Sequence, residues 1–224
     1  MTKGIFITAT GTDVGKTYVS ALIVKKIKDL GYNCGYYKPA LSGAEVINGQ
    51  LILGDCKYVF DVAGIKENPC NFVSYAFEPA VSPHLASEVA KNPIKLDKIK
   101  EDFHRIKSKY EYLVVEGAGG IICPFSLGNE KILLPDVIKA LNLDIIIVAS
   151  ASLGTINSTV LTIEYAKQKD LNVKGIILNN YNEKDFMQVD NKKQVENLTG
   201  VKVIATVKEN DKDIVDISSV FKEI

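Results

Sequence analysis

Short aliphatic runs alternate with stretches of helical spacing along the whole chain. Residues 5–9, 113–115, 145–149 and 176–178 are near-continuously apolar. That pattern suits strands covered on both faces, as a parallel sheet requires. Val19, Leu22, Ile23, Ile27 and Leu30 recur at three- and four-residue spacing and stop at Gly31. Leu96, Ile99, Phe103 and Ile106 repeat the spacing, and each set predicts an amphipathic helix. Repeated strand–helix alternation predicts an α/β fold with a doubly wound, mostly parallel sheet. No internal repeat, low-complexity tract or Pro/Gly/Ser linker divides residues 1–224, so a single domain is expected. Asn48-Gly49, between apolar flanks at Val46 and Leu51, predicts a tight hairpin on the surface of that domain.

In such a sheet ligands bind beyond the carboxyl ends of the strands, so the residues that follow each strand matter most. Residues 9–17 read Ala-Thr-Gly-Thr-Asp-Val-Gly-Lys-Thr and join the first strand to the first helix. This is the context of a phosphate-binding loop, in which amides at a helix N-terminus hold phosphate oxygens. Asp13, Val14, Gly15, Lys16, Thr17 and Tyr18 are the expected nucleotide contacts. Lys16 would reach the β- and γ-phosphates, and the Thr17 hydroxyl would ligate Mg²⁺. The first glycine of G-x-x-x-x-G-K-[ST] would fall at Thr10, with Gly11 one place later, so an ordinary strand-to-helix turn is the alternative.

Two further segments point to the same sheet edge. Tyr112-Leu-Val-Val-Glu116 ends a strand with an acid, and Gly117, Ala118, Gly119 and Gly120 follow it. Glu116 sits where a P-loop protein holds its second Mg²⁺ contact, although it could simply cap the next turn. Tyr36-Tyr37-Lys38-Pro39-Ala40-Leu41-Ser42 is read as following the second strand, and it brings a lysine and a hydroxyl to the phosphate site.

Composition narrows the function classes. Lys+Arg and Asp+Glu both number 27, so no net charge draws the chain toward nucleic acid or an anionic membrane. The four cysteines, at 34, 56, 70 and 123, form no C-x-x-C pair, which fits a reducing, cytoplasmic setting. The N-terminal residues enter a strand pattern without a signal-peptide core, and no apolar run approaches the ~20 residues of a membrane span. No Ser-His-Asp or Cys-His constellation suggests covalent catalysis by the protein. His84 reads as a structural loop residue after two prolines, and His104 as a surface position.

Together the T-D-V-G-K-T core, Y-K-P-x-x-S-G, Glu78-Pro79 with Ser82-Pro83-His84, V-E-G-A-G-G and residues 152–157 resemble the dethiobiotin synthetase family in order and spacing. The resemblance covers residues from about 5 to 180. It implies ATP-dependent closure of a ureido ring on 7,8-diaminononanoate and CO₂, through a carbamate and a carbamic–phosphoric anhydride. By the same resemblance, Lys16, Lys38, Thr12 and Ser42 act at the carbamate, and Thr17, Asp55 and Glu116 hold Mg²⁺. Gly117, Ala118 and Gly119 would line the nucleotide, and Asn179, with Asn180, would meet the adenine. Ser42, Leu153, Gly154 and Asn157 would bind substrate, the last three across a homodimer interface. Ala9, Gly11, Asp13 and Asn180 depart from common family residues, and residues 204–210 lack a Pro-aromatic pair near the base. Tolerance of other nucleoside triphosphates is the corresponding expectation. Two rival classes share the P-loop: a cobyric-acid-type synthetase, for whose glutaminase domain the chain has no room, and a ParA/MinD-like switch, whose extra loop lysine is absent.

Overall fold

The computed structural model describes residues 1–128 and 130–224. The apolar runs become β1 (Lys3–Ala9), β6 (Tyr112–Glu116), β9 (Ile145–Ser150) and β10 (Val173–Asn179). The two periodic stretches become α1 (Lys16–Asp29) and α4 (Leu96–Lys107). Between α1 and α4 lie β2 (Cys34–Ser42), a hairpin of β3 (Glu45–Ile47) and β4 (Gln50–Ile52), α2 (Gly54–Ala63), β5 (Val73–Phe77) and α3 (Pro83–Val89). A second hairpin, β7 (Pro124–Leu127) and β8 (Lys131–Leu133), and α5 (Leu134–Leu141) separate β6 from β9. The chain closes with α6 (Thr155–Gln168) before β10, then α7 (Phe186–Thr199), β11 (Val203–Val207) and β12 (Lys222–Glu223).

The central sheet runs β11-β10-β9-β1-β6-β2-β5 with every one of these pairs parallel. The short β12 pairs antiparallel with the first residues of β1. Helices cover both faces, and for that reason β1, β6 and β9 can be aliphatic at successive positions rather than at alternate ones. From β1 the chain moves to β2 on one side, and after β6 it returns to β9 on the other side of β1. The direction therefore reverses at the carboxyl ends of β1 and β6, where open α/β sheets place their ligands.

Several local signals act as expected. Asn48 and Gly49 take φ of 50° and 75°, both left-handed, which makes the two-residue turn between β3 and β4. Val19, Leu22, Ile23 and Ile27 are buried on the sheet-facing side of α1, which ends at Asp29 with Leu30 as its cap. Two expectations are corrected. Lys38 and Ser42 do not follow the second strand but lie within β2, which continues through Pro39. β2 pairs with β6 only as far as Tyr37 and with β5 from Lys38 onward, so the strand changes neighbours next to the proline that lacks an N–H. His84 belongs to the first turn of α3 rather than to a loop, and its Nδ1 lies 2.9 Å from Ser82 Oγ.

Candidate active site

The turn after β1 is shaped by two left-handed residues, Asp13 (φ 59°) and Gly15 (φ 91°). Gly15 caps α1, no side chain bonds the first amides, and the first turn carries no acid. The amides and the positive end of the helix dipole are thus left for an external anion. Gly15 is also pinned from behind. A Cβ placed there would lie 2.0 Å from Asn179 Nδ2, which donates to the Val14 carbonyl at 3.1 Å. Gly15→Ala combines a disfavoured φ with that clash, and strain of this kind costs about 1–3 kcal/mol. Nucleotide affinity is expected to fall by about tenfold or more, measured by calorimetric titration. An unchanged affinity would mean that the loop yields without cost.

Sheet register builds the centre of the site. β1 and β6 align so that Ile7 lies beside Glu116, and β2 aligns Tyr37 with Val115, which puts Lys38 level with Glu116. Glu116 is fully buried, and its carboxylate accepts three hydrogen bonds. Thr17 Oγ1 donates to Oε1 at 2.8 Å, Lys38 Nζ to Oε1 at 2.7 Å, and Tyr36 OH to Oε2 at 3.0 Å. Lys38 Nζ also donates to Asp55 Oδ2 at 2.5 Å. Asp55 sits in the first turn of α2, whose N-cap is Leu53, so its carboxylate turns to Lys38 instead of capping the helix. Lys16 Nζ donates to the Gly119 carbonyl at 3.0 Å.

The two lysines differ in environment. Burial lowers the Lys16 ammonium below its ordinary value, although Glu116 pulls the other way. Burial acts on Lys38 in the same sense, but Glu116 and Asp55 outweigh it and hold the ammonium charged, above the ordinary lysine range. Cys123 lies near both lysines, yet burial pushes its thiol up to about 11. A thiol raised in this way is mostly protonated at neutral pH and a weak nucleophile.

These groups line one end of an open cavity of about 1240 Å³. Thr12, Asp13, Gly15, Lys16, Thr17 and Tyr18 come to it from the P-loop, and Lys38 and Ser42 from β2. Asp55, Glu116, Gly117, Ala118 and Gly119 complete that end. Val14 and Asn179 do not line it, and Asn179, buried behind the loop, donates to the Val14 carbonyl. Asn157 reaches the same cavity from α6, whereas Leu153 and Gly154 do not line it, and Leu153 is 84% exposed. Asn180 is exposed, with φ 56°, and is not brought to the others.

Sequence reasoning missed the Tyr36 hydroxyl as a partner of Glu116. A signal existed, since residues two apart on a strand share a face, and Tyr36 and Lys38 both reach the same carboxylate. It also missed Cys123 and the α6 residues Ser158, Leu161 and Thr162 on the cavity wall, for which no local motif speaks.

Among the described residues no group of three or more His, Cys, Asp and Glu is arranged to hold an ion. The available donors are oxygens: the Thr17 hydroxyl and the Asp55 and Glu116 carboxylates. A small set of this kind suits Mg²⁺, which keeps waters and phosphate oxygens as its remaining ligands. No helix among the described residues is long and apolar enough to cross a membrane.

Comparison with known proteins identifies the family and the fold. A family model described as an AAA domain matches residues 3–214. The chain is 58% identical over 193 residues to the ATP-dependent dethiobiotin synthetase of Clostridium botulinum strain 657, covering 86% of this chain and 85% of the relative. It is 52% identical over 211 residues to that of strain Loch Maree, covering 94% and 93%. Among solved structures, MinD of Pyrococcus horikoshii complexed with Mg-ADP superposes with a TM-score of 0.54 at 20% identity, over 94% of this chain and 82% of that one. The 54 kDa signal recognition particle protein of Aeropyrum pernix, in complex with GDP, gives 0.57 at 13% identity, over 98% and 44%. At such identities the structures share the fold alone, a parallel α/β sheet flanked by helices. The close relatives, matched along most of their length, place the chain among enzymes: it belongs to the ATP-dependent dethiobiotin synthetase family.

Proposed function

We propose that this chain uses ATP to carboxylate and cyclise 7,8-diaminononanoate with CO₂, yielding dethiobiotin, ADP and phosphate. Family membership supports the substrate. The observation that carries the mechanism is the convergence of Lys16 and Lys38 on one end of the cavity beside the P-loop. One substrate amine takes up CO₂ and loses a proton to give a carbamate. A carbamate oxygen then attacks the γ-phosphorus of ATP, ADP leaves, and a carbamic–phosphoric anhydride forms. The second amine attacks the carbonyl carbon, phosphate leaves, the amine sheds a proton, and the ring closes.

Both partners in the phosphoryl step are anions, so the protein contributes charge neutralisation and alignment rather than a nucleophile. Lys16 and the first amides of α1 face the transferring phosphoryl group. Lys38 stands on the side of the carbamate, with the Thr12 and Ser42 hydroxyls on the cavity wall to orient it. Thr17, Asp55 and Glu116 would hold Mg²⁺, which when bound neutralises phosphate charge. Asn179 suits the adenine. Its Oδ1 is buried and accepts no hydrogen bond among the described residues, and the exocyclic amine of adenine is a donor that would satisfy it.

A homodimer is part of the same proposal. Leu153, Leu161, Phe186 and Val189 leave apolar surface exposed on α6, α7 and the turn before α6. Leu153 and Gly154 do not line the chain's own cavity, so a second copy is the route by which they would meet substrate. Sedimentation at micromolar concentration is expected to give twice the chain mass, and a monomer there would exclude the shared site.

The decisive assay is phosphate release from MgATP, with and without diaminononanoate and bicarbonate. Turnover that requires both additions and yields dethiobiotin supports the proposal. Slow hydrolysis indifferent to the diamine would sink it and favour a nucleotide switch. CTP and GTP in the same assay test the tolerance suggested by residues 204–210, which strict dependence on ATP would exclude.

A further inference from the structure

The oxygens best placed for a divalent ion are already engaged by a cation of the protein itself. Lys38 Nζ contacts Asp55 Oδ2 at 2.5 Å and Glu116 Oε1 at 2.7 Å, and Glu116 Oε1 also receives the Thr17 hydroxyl at 2.8 Å. The two side chains of the Lys38–Glu116 contact are only 5% and 0% exposed, at the wall of the cavity. Mg²⁺ bound to Oε1 at about 2.1 Å would lie within about 5 Å of the ammonium. Two cations would then compete for the same lone pairs in a place where water screens them poorly.

We propose that Lys38 is the resident counter-cation of the metal site. With no metal bound, it holds the Asp55 and Glu116 carboxylates together and neutralises them. An arriving divalent ion displaces it from both oxygens and releases its charge toward the cavity, where the anionic reactants bind. The inference rests on the assignment of the metal to Thr17, Asp55 and Glu116. It adds a sign that a merely structural lysine would not produce. A neutral residue at position 38 leaves two uncompensated carboxylates, so metal affinity rises while turnover falls.

Mn²⁺ titrated into the nucleotide-free protein, with the free ion read by electron paramagnetic resonance, tests this. Lys38→Met is expected to bind Mn²⁺ about tenfold or more tighter than the parent, and Lys38→Arg no tighter. Equal or weaker binding by Lys38→Met overturns the inference. Glu116→Gln separates the two layers. If it binds Mn²⁺ like the parent, the metal assignment itself fails. If it loses Mn²⁺ while Lys38→Met fails to bind tighter, only the counter-cation role is lost.

Should Lys38→Met not fold, the unaltered protein offers a second reading. The ¹⁵N-labelled ammonium resonance of Lys38, assigned by its absence from Lys38→Arg, is expected to shift with Mg²⁺-ADP but not with ADP in EDTA. No shift with Mg²⁺-ADP, or the same shift with ADP alone, overturns the proposal.

Discussion

Replacing Lys16 with alanine is expected to lower the rate of dethiobiotin formation by about three orders of magnitude with the fold intact. Lys16 opens α1 with its ammonium buried at the Gly119 carbonyl, on the wall of the cavity that the P-loop borders. Charge builds on the phosphoryl oxygens in the transition state, and a fixed cation in a poorly solvated site stabilises that charge without reorganising. Because burial already disfavours this ammonium, its removal relieves a cost as well as leaving the Gly119 carbonyl short of a donor. The two effects oppose each other, so stability should move by only about 1 kcal/mol. Initial rates set beside a thermal melt make the check. A loss of activity under about tenfold would remove Lys16 from the phosphoryl step.

Glu116→Ala is expected to injure the fold and the chemistry together. The carboxylate is fully buried and takes hydrogen bonds from Thr17, Tyr36 and Lys38, three donors from two different elements. Alanine would leave all three facing a void. Lys38 would keep Asp55, but the Asp55 side chain is 42% exposed and shares its charge with solvent. Breaking a buried pair by removing one partner costs about 3–5 kcal/mol, and the remaining aspartate places this case near the lower end. For a chain of this size that corresponds to a fall in Tm of roughly 6–12 °C. Glu116→Gln keeps the shape and one acceptor, so it should melt much closer to the parent while remaining inactive. A Tm for Glu116→Ala within about 2 °C of the parent would show that the cluster carries little stability.

The parts of the site that could be read from the chain are those written in contiguous residues. Residues 9–17 carry a P-loop because strand, glycine turn and helix are neighbours in sequence, and phosphate contacts come from successive amides. Asn48-Gly49 announces its hairpin because two left-handed residues are a local demand. Lys38 was harder. Its motif was visible, but the extent of β2 was not, because a proline usually argues against an interior strand position. The exchange of β6 for β5 at that point depends on where β6 ends, some 78 residues later. No local pattern pairs Asp55 with Lys38, and the two meet only through the packing of α2 against β2.

Near-continuous apolar runs alternating with helical periodicity pointed to a parallel α/β sheet, since strands of that kind fit between two layers of helices. The order of the chain's residues likewise pointed to a phosphate loop after the first strand. Tertiary packing alone set which distant side chains share an atom. Thr17, Lys38 and Tyr36 converge on Glu116 through the registers of β1, β2 and β6, and Asn179 meets Gly15 across 164 positions. Such contacts depend on strand order and register, which long-range burial selects. No local preference of the residues concerned encodes them.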